Sequence, residues 1–189
     1  MHSPDQPPSS KGQLILDAAG IAAHLDTMAQ RIIQLCLALE RRDPLMVGIQ
    51  RGGLWIAQAL YQQLGTSWSW REPLGALDIS CYRDDLALPG VNPILRGSNL
   101  PCATEARHVL LVDDVCHTGR TAKAALDELF DYGRPASVTY IALVERSGRE
   151  LPIVPDVLGL SWSAQAQHIK LTGPKPLALV AMPCRTAKI

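Results

Sequence analysis

The run Val109-Leu110-Leu111-Val112-Asp113-Asp114-Val115-Cys116-His117-Thr118-Gly119-Arg120-Thr121 constrains the fold more than any other stretch of this chain. Four apolar residues, Val109–Val112, predict a short strand buried on both faces. Two acids stand at its carboxyl end, and a small polar turn containing a glycine follows. After Thr121 the period changes: Ala122, Ala125, Leu126, Leu129 and Phe130 share one helical face, and Gly133 with Pro135 ends it. A strand, a turn and a helix start bring free N–H groups and the positive end of a helix dipole to one point, the basic anion site of α/β proteins. Gly119 lets the backbone approach a phosphate closely, and Thr118 and Thr121 offer hydroxyl donors.

The acids make the site more specific than a phosphate cradle. Asp113 and Asp114 stand too far back along the chain to share that phosphate. Carboxylates accept hydrogen bonds from hydroxyls and hold hard cations such as Mg²⁺. A ligand phosphorylated at one end, with neighbouring hydroxyls a few ångströms away, satisfies both halves: a ribose 5-phosphate. The plainer alternative is an acid pair at a strand end that caps a helix.

A second unit of the same kind precedes it. Leu45–Ile49 reads as a buried strand, Gln50-Arg51-Gly52-Gly53 as a glycine turn, and a helix is expected from about Leu54 to Leu64. The turn is either a second anion site or a plain glycine-rich connection. Upstream, Asp17 is an N-cap candidate for a long helix whose apolar stripe runs Ile21, Leu25, Met28, Ile32, Leu35, Leu39, ended by Arg41-Arg42-Asp43-Pro44. Trp68 and Trp70, two apart, suggest an irregular or edge strand, with packing or a subunit interface as their use. Gly75–Tyr82 is expected to be a strand. From Arg83 to about Pro101 no period survives Pro89-Gly90, Asn92-Pro93 and Pro101, which suits a lid or binding loop. Ser137–Val144 is another buried strand, followed by a charged loop, Arg146–Pro152. Val157–Leu160, His168–Leu171 and Leu177–Met182 read as edge strands or a small flap. Strands alternating with helices predict an α/β fold with a mainly parallel sheet flanked by helices and ligands at the strands' carboxyl ends.

Composition narrows the class. A chain of 189 residues with 47% hydrophobic and 19% charged residues can bury a full core as one domain. Residues 1–13, with three prolines, are expected to be a disordered tail, leaving 14–189 as the domain. Basic and acidic residues balance at 18 each, so no global field draws in nucleic acid. Cys36, Cys81, Cys102, Cys116 and Cys184 lack zinc or disulfide spacing. No membrane-length apolar run or signal segment is present, so a cytoplasmic protein is expected.

The central motif resembles the phosphoribosyl-pyrophosphate (PRPP) motif of type I phosphoribosyltransferases. Together with Ile79-Ser80-Cys81-Tyr82-Arg83-Asp84-Asp85-Leu86, Gly133–Ser137 and Leu143–Ile153, it resembles the PyrR family over nearly the whole chain. That family pairs uracil phosphoribosyltransferase activity with attenuation of pyrimidine operons on mRNA. The resemblance implies a type I phosphoribosyltransferase fold with a hood and a flexible loop, read here as Arg83 to about Pro101 over the PRPP site. It implies the conversion of uracil and PRPP to UMP and pyrophosphate with Mg²⁺, in a homo-oligomer. The 5-phosphate falls to His117, Thr118, Gly119, Arg120 and Thr121, and the pyrophosphate to Arg51, Gly52 and Gly53. Asp113 and Asp114 face the ribose hydroxyls, directly or around Mg²⁺, and Arg83 joins them as a catalytic group. Gln50 and Gly52 depart from the family's frequent Lys and Arg. Uracil recognition is expected from backbone groups near Val154–Gly159.

His117 has two readings: a general base, or a histidine that fills shape or hydrogen-bonds within the phosphate loop. An mRNA partner stays open. Asp26, Thr27, Gln30, Leu35, Gly148, Val154 and Leu160 stand where RNA-regulating relatives tend to be basic or polar, and RNA affinity rests heavily on cations. The alternatives are a non-catalytic sensor of PRPP or nucleotide that binds RNA, and a phosphoribosyltransferase for another base.

Overall fold

Apolar runs long enough to be buried on both faces need a helix layer on each side, and the chain supplies both. The computed structural model describes residues 12–79, 97–163 and 167–183. The elements are β1 (Gln13–Leu16), α1 (Ala18–Ala38), β2 (Leu45–Ile49), α2 (Gly52–Leu64), β3 (Gly75–Leu77), β4 (His108–Cys116), α3 (Arg120–Asp131), β5 (Ser137–Arg146), β6 (Val157–Trp162), β7 (Gln167–Thr172) and β8 (Ala178–Pro183). Among the described residues a five-stranded sheet runs β3-β2-β4-β5-β6 with every pair parallel, and a three-stranded antiparallel sheet runs β1-β8-β7.

The pleat sorts each buried run into two layers. Leu45, Val47, Val109, Leu111 and Ala142 join Ala122, Ala125 and Leu129 of α3 in one core. Met46, Leu110, Val112, Ile141 and Leu143 join α1, α2 and the inner faces of β7 and β8 in the other. Leu110 is fully buried, and truncating it to alanine would cost about 2–5 kcal/mol. Asp17 caps α1 as expected, its Oδ1 accepting the Gly20 N–H at 2.8 Å.

Several boundaries differ from the sequence reading. β4 runs on to Cys116, so the acid pair lies inside the strand. α1 stops at Ala38, leaving Leu39 exposed beyond the stripe and Leu35 half-buried. α2 begins at Gly52 rather than Leu54, because its two glycines press against β4 where side chains have no room. The Trp68–Trp70 segment forms no strand. Trp70 stacks on Tyr61 at 4.6 Å and donates its indole N–H to the Tyr61 carbonyl at 2.9 Å, a packing role that helix α2 imposes.

β3 ends at Leu77, short of the expected Tyr82: Asp78 and Ile79 lie outside the strand, and residues 80–82, like Arg83, fall outside the described residues. Of the Arg83–Pro101 stretch expected as the hood, residues 83–96 fall outside the described residues. Asn99 pairs with Ala76 in both directions at 2.8 and 2.9 Å. Ser98 Oγ accepts the Asp78 N–H at 3.0 Å and donates to Glu128 at 2.7 Å. These bonds sew residues 98–99 to the edge of the parallel sheet. The β7–β8 side of the antiparallel sheet faces the strand ends, and Gln13, placed in the tail by composition, pairs with Ala181 as the first residue of β1.

Candidate active site

Consecutive strand residues face opposite sides, and this separates the two acids. Asp113 continues the Val109–Leu111 face toward α3, and Asp114 continues the Leu110–Val112 face toward α2. The start of α2 comes so close that a Cβ at Gly52 would stand 2.1 Å from Asp114 Oδ2. A Cβ at Gly53 would stand 2.5 Å from the Val112 carbonyl oxygen. Both glycines are therefore demanded by contact between α2 and β4.

Asp113 is 2% exposed. Its Oδ1 accepts the Asp114 backbone N–H at 2.9 Å, and its Oδ2 accepts the Tyr140 hydroxyl at 3.0 Å. Burial, then the neighbouring Asp114 charge, pushes Asp113 up to about 8, with the Tyr140 hydrogen bond working the other way. Burial likewise raises Tyr140 and Cys116, so both stay protonated at neutral pH.

The turn after β4 is held by the loop after β5. The Thr118 carbonyl accepts N–H groups of Glu150 and Leu151 at 3.0 and 2.9 Å, and Thr118 Oγ1 accepts the Arg120 N–H at 3.3 Å. Gly119 precedes α3 with φ of 90°, a left-handed value suited to glycine, and the helix start takes no side-chain cap. Its first turn offers main-chain N–H groups at the positive end of the helix dipole. The Arg120 guanidinium turns outward to Glu150 at 2.8 Å. The His117 ring lies over Gly148, where a Cβ would stand 2.8 Å from Nε2. Burial, then the Arg146 charge, lowers its pKa against an opposing pull from Glu150, so the ring is neutral at pH 7.

These groups border a cleft of about 880 Å³ between the carboxyl ends of the parallel strands and the β7–β8 side of the antiparallel sheet. Of the residues expected from the sequence, Arg51, Gly52, Asp113, Asp114, His117, Thr118, Gly119 and Thr121 line it. Gly53 lies behind the lining against β4, and Arg120 is directed at Glu150. Arg83 falls outside the described residues. None of residues 154–159 borders the cleft; the wall there is Arg146, at 8% exposure, with His168 and Lys170 of β7. Trp55 and Tyr140 also line it and were not anticipated. Arg146 had a signal in the charged loop it opens, whereas Tyr140 sits in an apolar strand with none.

A helix start facing a carboxylate pair across one cleft, on a doubly covered parallel sheet, is the arrangement of a phosphoribosyltransferase. The phosphoribosyl transferase domain family matches residues 13–171, and the chain belongs to it. Within that family the chain is a member of the PyrR group. It is 49% identical over 166 residues to the bifunctional protein PyrR of Pseudomonas putida (strain W619), covering 86% of this chain and 94% of that one. With the PyrR of Nitrosococcus oceani it shares 50% identity over 158 residues, 83% of this chain and 88% of that one. The fold is similar to the hypoxanthine phosphoribosyltransferase of Trypanosoma cruzi, with a TM-score of 0.65 at 18% identity, covering 90% of this chain and 96% of that one. A hypoxanthine phosphoribosyltransferase from Staphylococcus aureus gives a TM-score of 0.62 at 18% identity, over 82% and 79% of the two chains.

Proposed function

We propose that the protein is a uracil phosphoribosyltransferase, joining uracil to the ribose of PRPP to give UMP and pyrophosphate. The observation that carries this reading is the single cleft in which the Thr118–Thr121 helix start faces the Asp113–Asp114 pair, with Arg51 on its rim. The choice of uracil rests on membership of the PyrR group.

Displacement of pyrophosphate builds positive charge on the ribose ring, as in glycoside hydrolysis. The chain therefore has to hold the sugar, stabilise the leaving oxygens and exclude water. The backbone of residues 117–121, with the Thr118 and Thr121 hydroxyls, receives the 5-phosphate. His117, neutral and set over Gly148, shapes that loop. Asp114, the more accessible acid, accepts from the ribose hydroxyls, with Asp113 beneath it. Arg51 and the start of α2 meet the pyrophosphate, and Arg83 is the second cation proposed for it. The β7–β8 face shuts water out of the cleft and, with Arg146, borders the base. Among the described residues no group of three or more histidine, cysteine or acidic side chains could cage a metal. An acid pair suits Mg²⁺ held largely by water and substrate oxygens. When bound there, Mg²⁺ supplies positive charge against the departing pyrophosphate.

The test is UMP formation from uracil and PRPP with Mg²⁺, beside an Asp113→Asn, Asp114→Asn double variant. Turnover in the parent and at least about a hundredfold loss in a folded variant are expected. A parent that binds PRPP and forms no UMP would leave a sensor, and hypoxanthine offered in parallel separates a purine enzyme. No helix among the described residues is long and apolar enough to cross a membrane, and a cytoplasmic location is proposed with the activity.

The relatives' name, bifunctional, supports a second role for this chain, in pyrimidine gene regulation through mRNA. The surface expected to serve it is poor in cations. Val154 is 52% exposed, and the Arg31 guanidinium donates to the Leu158 carbonyl at 3.4 Å. A gel shift with a pyrimidine-operon leader that strengthens as salt falls would establish that role; no shift at low salt would remove it. Light scattering after gel filtration tests the homo-oligomer proposed with it.

A further inference from the structure

Tyr140 is buried on the α3 side of the sheet and also borders the cleft. In the β4–β5 register Leu111 stands opposite Tyr140, so the ring must run two residues along the strand to reach Asp113. It does so, and its hydroxyl donates to Asp113 Oδ2 at 3.0 Å. The other carboxylate oxygen, Oδ1, accepts the Asp114 backbone N–H at 2.9 Å. The two donors together fix the carboxylate plane. Tyr140 is held in turn at its backbone: its N–H donates to Asp156 Oδ2 at 2.8 Å, and its carbonyl accepts the Asp156 N–H at 2.8 Å. Main-chain bonds to Asp156 thus fix the Tyr140 backbone, and its phenol separately holds the inner acid.

We propose that Tyr140 is a positioning residue for substrate: its hydroxyl fixes the Asp113 carboxyl group so that the acid pair presents one set of oxygens to the ribose hydroxyls. The proposal rests on the reading that this pair holds the ribose. A buried carboxylate with a missing donor rotates toward whatever partner remains, since leaving an oxygen unpaired is costly. Tyr140→Phe keeps the ring and its packing and removes the hydroxyl, which donates to Asp113 and also meets Cys116.

The test compares parent and Tyr140→Phe protein by titration calorimetry with three probes in the presence of Mg²⁺, PRPP, ribose 5-phosphate and inorganic pyrophosphate, and titrates the parent with inorganic phosphate as the reference. Circular dichroism establishes that both are folded. The variant is expected to bind PRPP and ribose 5-phosphate about tenfold more weakly, the scale of one buried hydrogen bond. Pyrophosphate, which has no hydroxyls to present, is expected to bind both proteins alike. Unchanged affinity for ribose 5-phosphate overturns the proposal, and so does an equal loss for all three probes, the signature of general loosening. A parent that binds ribose 5-phosphate no better than inorganic phosphate would overturn the ribose assignment itself, and the proposal with it. Tyr140→Leu, which removes the ring as well, serves if the phenylalanine variant does not fold. The same ribose-selective loss is expected of it, and an unselective one counts against the proposal.

Discussion

Gly52→Ala is the sharpest single perturbation of the cleft. An alanine Cβ at this position would stand 2.1 Å from Asp114 Oδ2 and 2.4 Å from its Cγ. Real Cβ contacts essentially never fall under 3.0 Å, so the carboxylate has to retreat by about 1 Å. A displacement of that size in a group that orients substrate costs about a hundredfold in rate, or about 2.7 kcal/mol of transition-state stabilisation. Stability moves less. Overpacking costs about 1–3 kcal/mol, and replacing a helical glycine returns about 0.5–1 kcal/mol. The neighbouring Gly53→Ala reverses the balance. Its Cβ meets the Val112 carbonyl oxygen at 2.5 Å and Asp113 Cα at 2.9 Å, main-chain atoms of a central strand that cannot step aside. The assay is kcat/KM for UMP formation, read beside thermal melts of both variants. Gly52→Ala is expected to lose activity and melt near the parent, and Gly53→Ala to melt well below it. A Gly52→Ala protein within threefold of parental kcat/KM would refute the reasoning, because Asp114 would then have no required position.

Two further outcomes follow from the charges. Asp113 ionises near 3.8 when unfolded and near 8 when folded, so between those values the unfolded chain gives up its proton first and stability falls as pH rises. Asp113→Asn abolishes that loss: its melting temperature, relative to the parent, is expected to climb from pH 4 to pH 8, and a flat difference would contradict the burial argument. The Arg120–Glu150 pair is exposed on both sides, at 64% and 51%. Glu150→Gln is therefore expected to change stability by less than about 1 kcal/mol, measured by denaturant unfolding.

The strand–turn–helix of the central motif was legible because its parts are contiguous: the apolar run, the glycine and the hydroxyls sit within thirteen residues whose spacing alone defines the turn. Eight of the expected residues meet in the cleft for that reason. What failed to show in the sequence depends on contacts across the chain. The acids looked equivalent as a pair, but strand parity gives Asp113 to a buried tyrosine 27 residues away and leaves Asp114 against Gly52. Arg120 had the right position for a phosphate, and Glu150 draws its guanidinium outward. The tryptophans alternate like a strand, yet Trp70 stacks on Tyr61, Trp68 packs edge-on against Trp70, and both lie outside any sheet among the described residues. The layer over the cleft was the least visible part, because β1 and β8 pair across most of the chain's length.

That pairing governs when the protein can become competent during synthesis. β8 lies between β1 and β7, so neither neighbour has its hydrogen-bonded partner until Ala178–Pro183 has emerged from the ribosome. The parallel sheet, completed at Trp162, can close earlier from more local contacts. A nascent chain thus carries a finished floor for its ligand and no roof. A chain that stops short of residue 178 lacks the strand that joins β1 to β7 across the cleft.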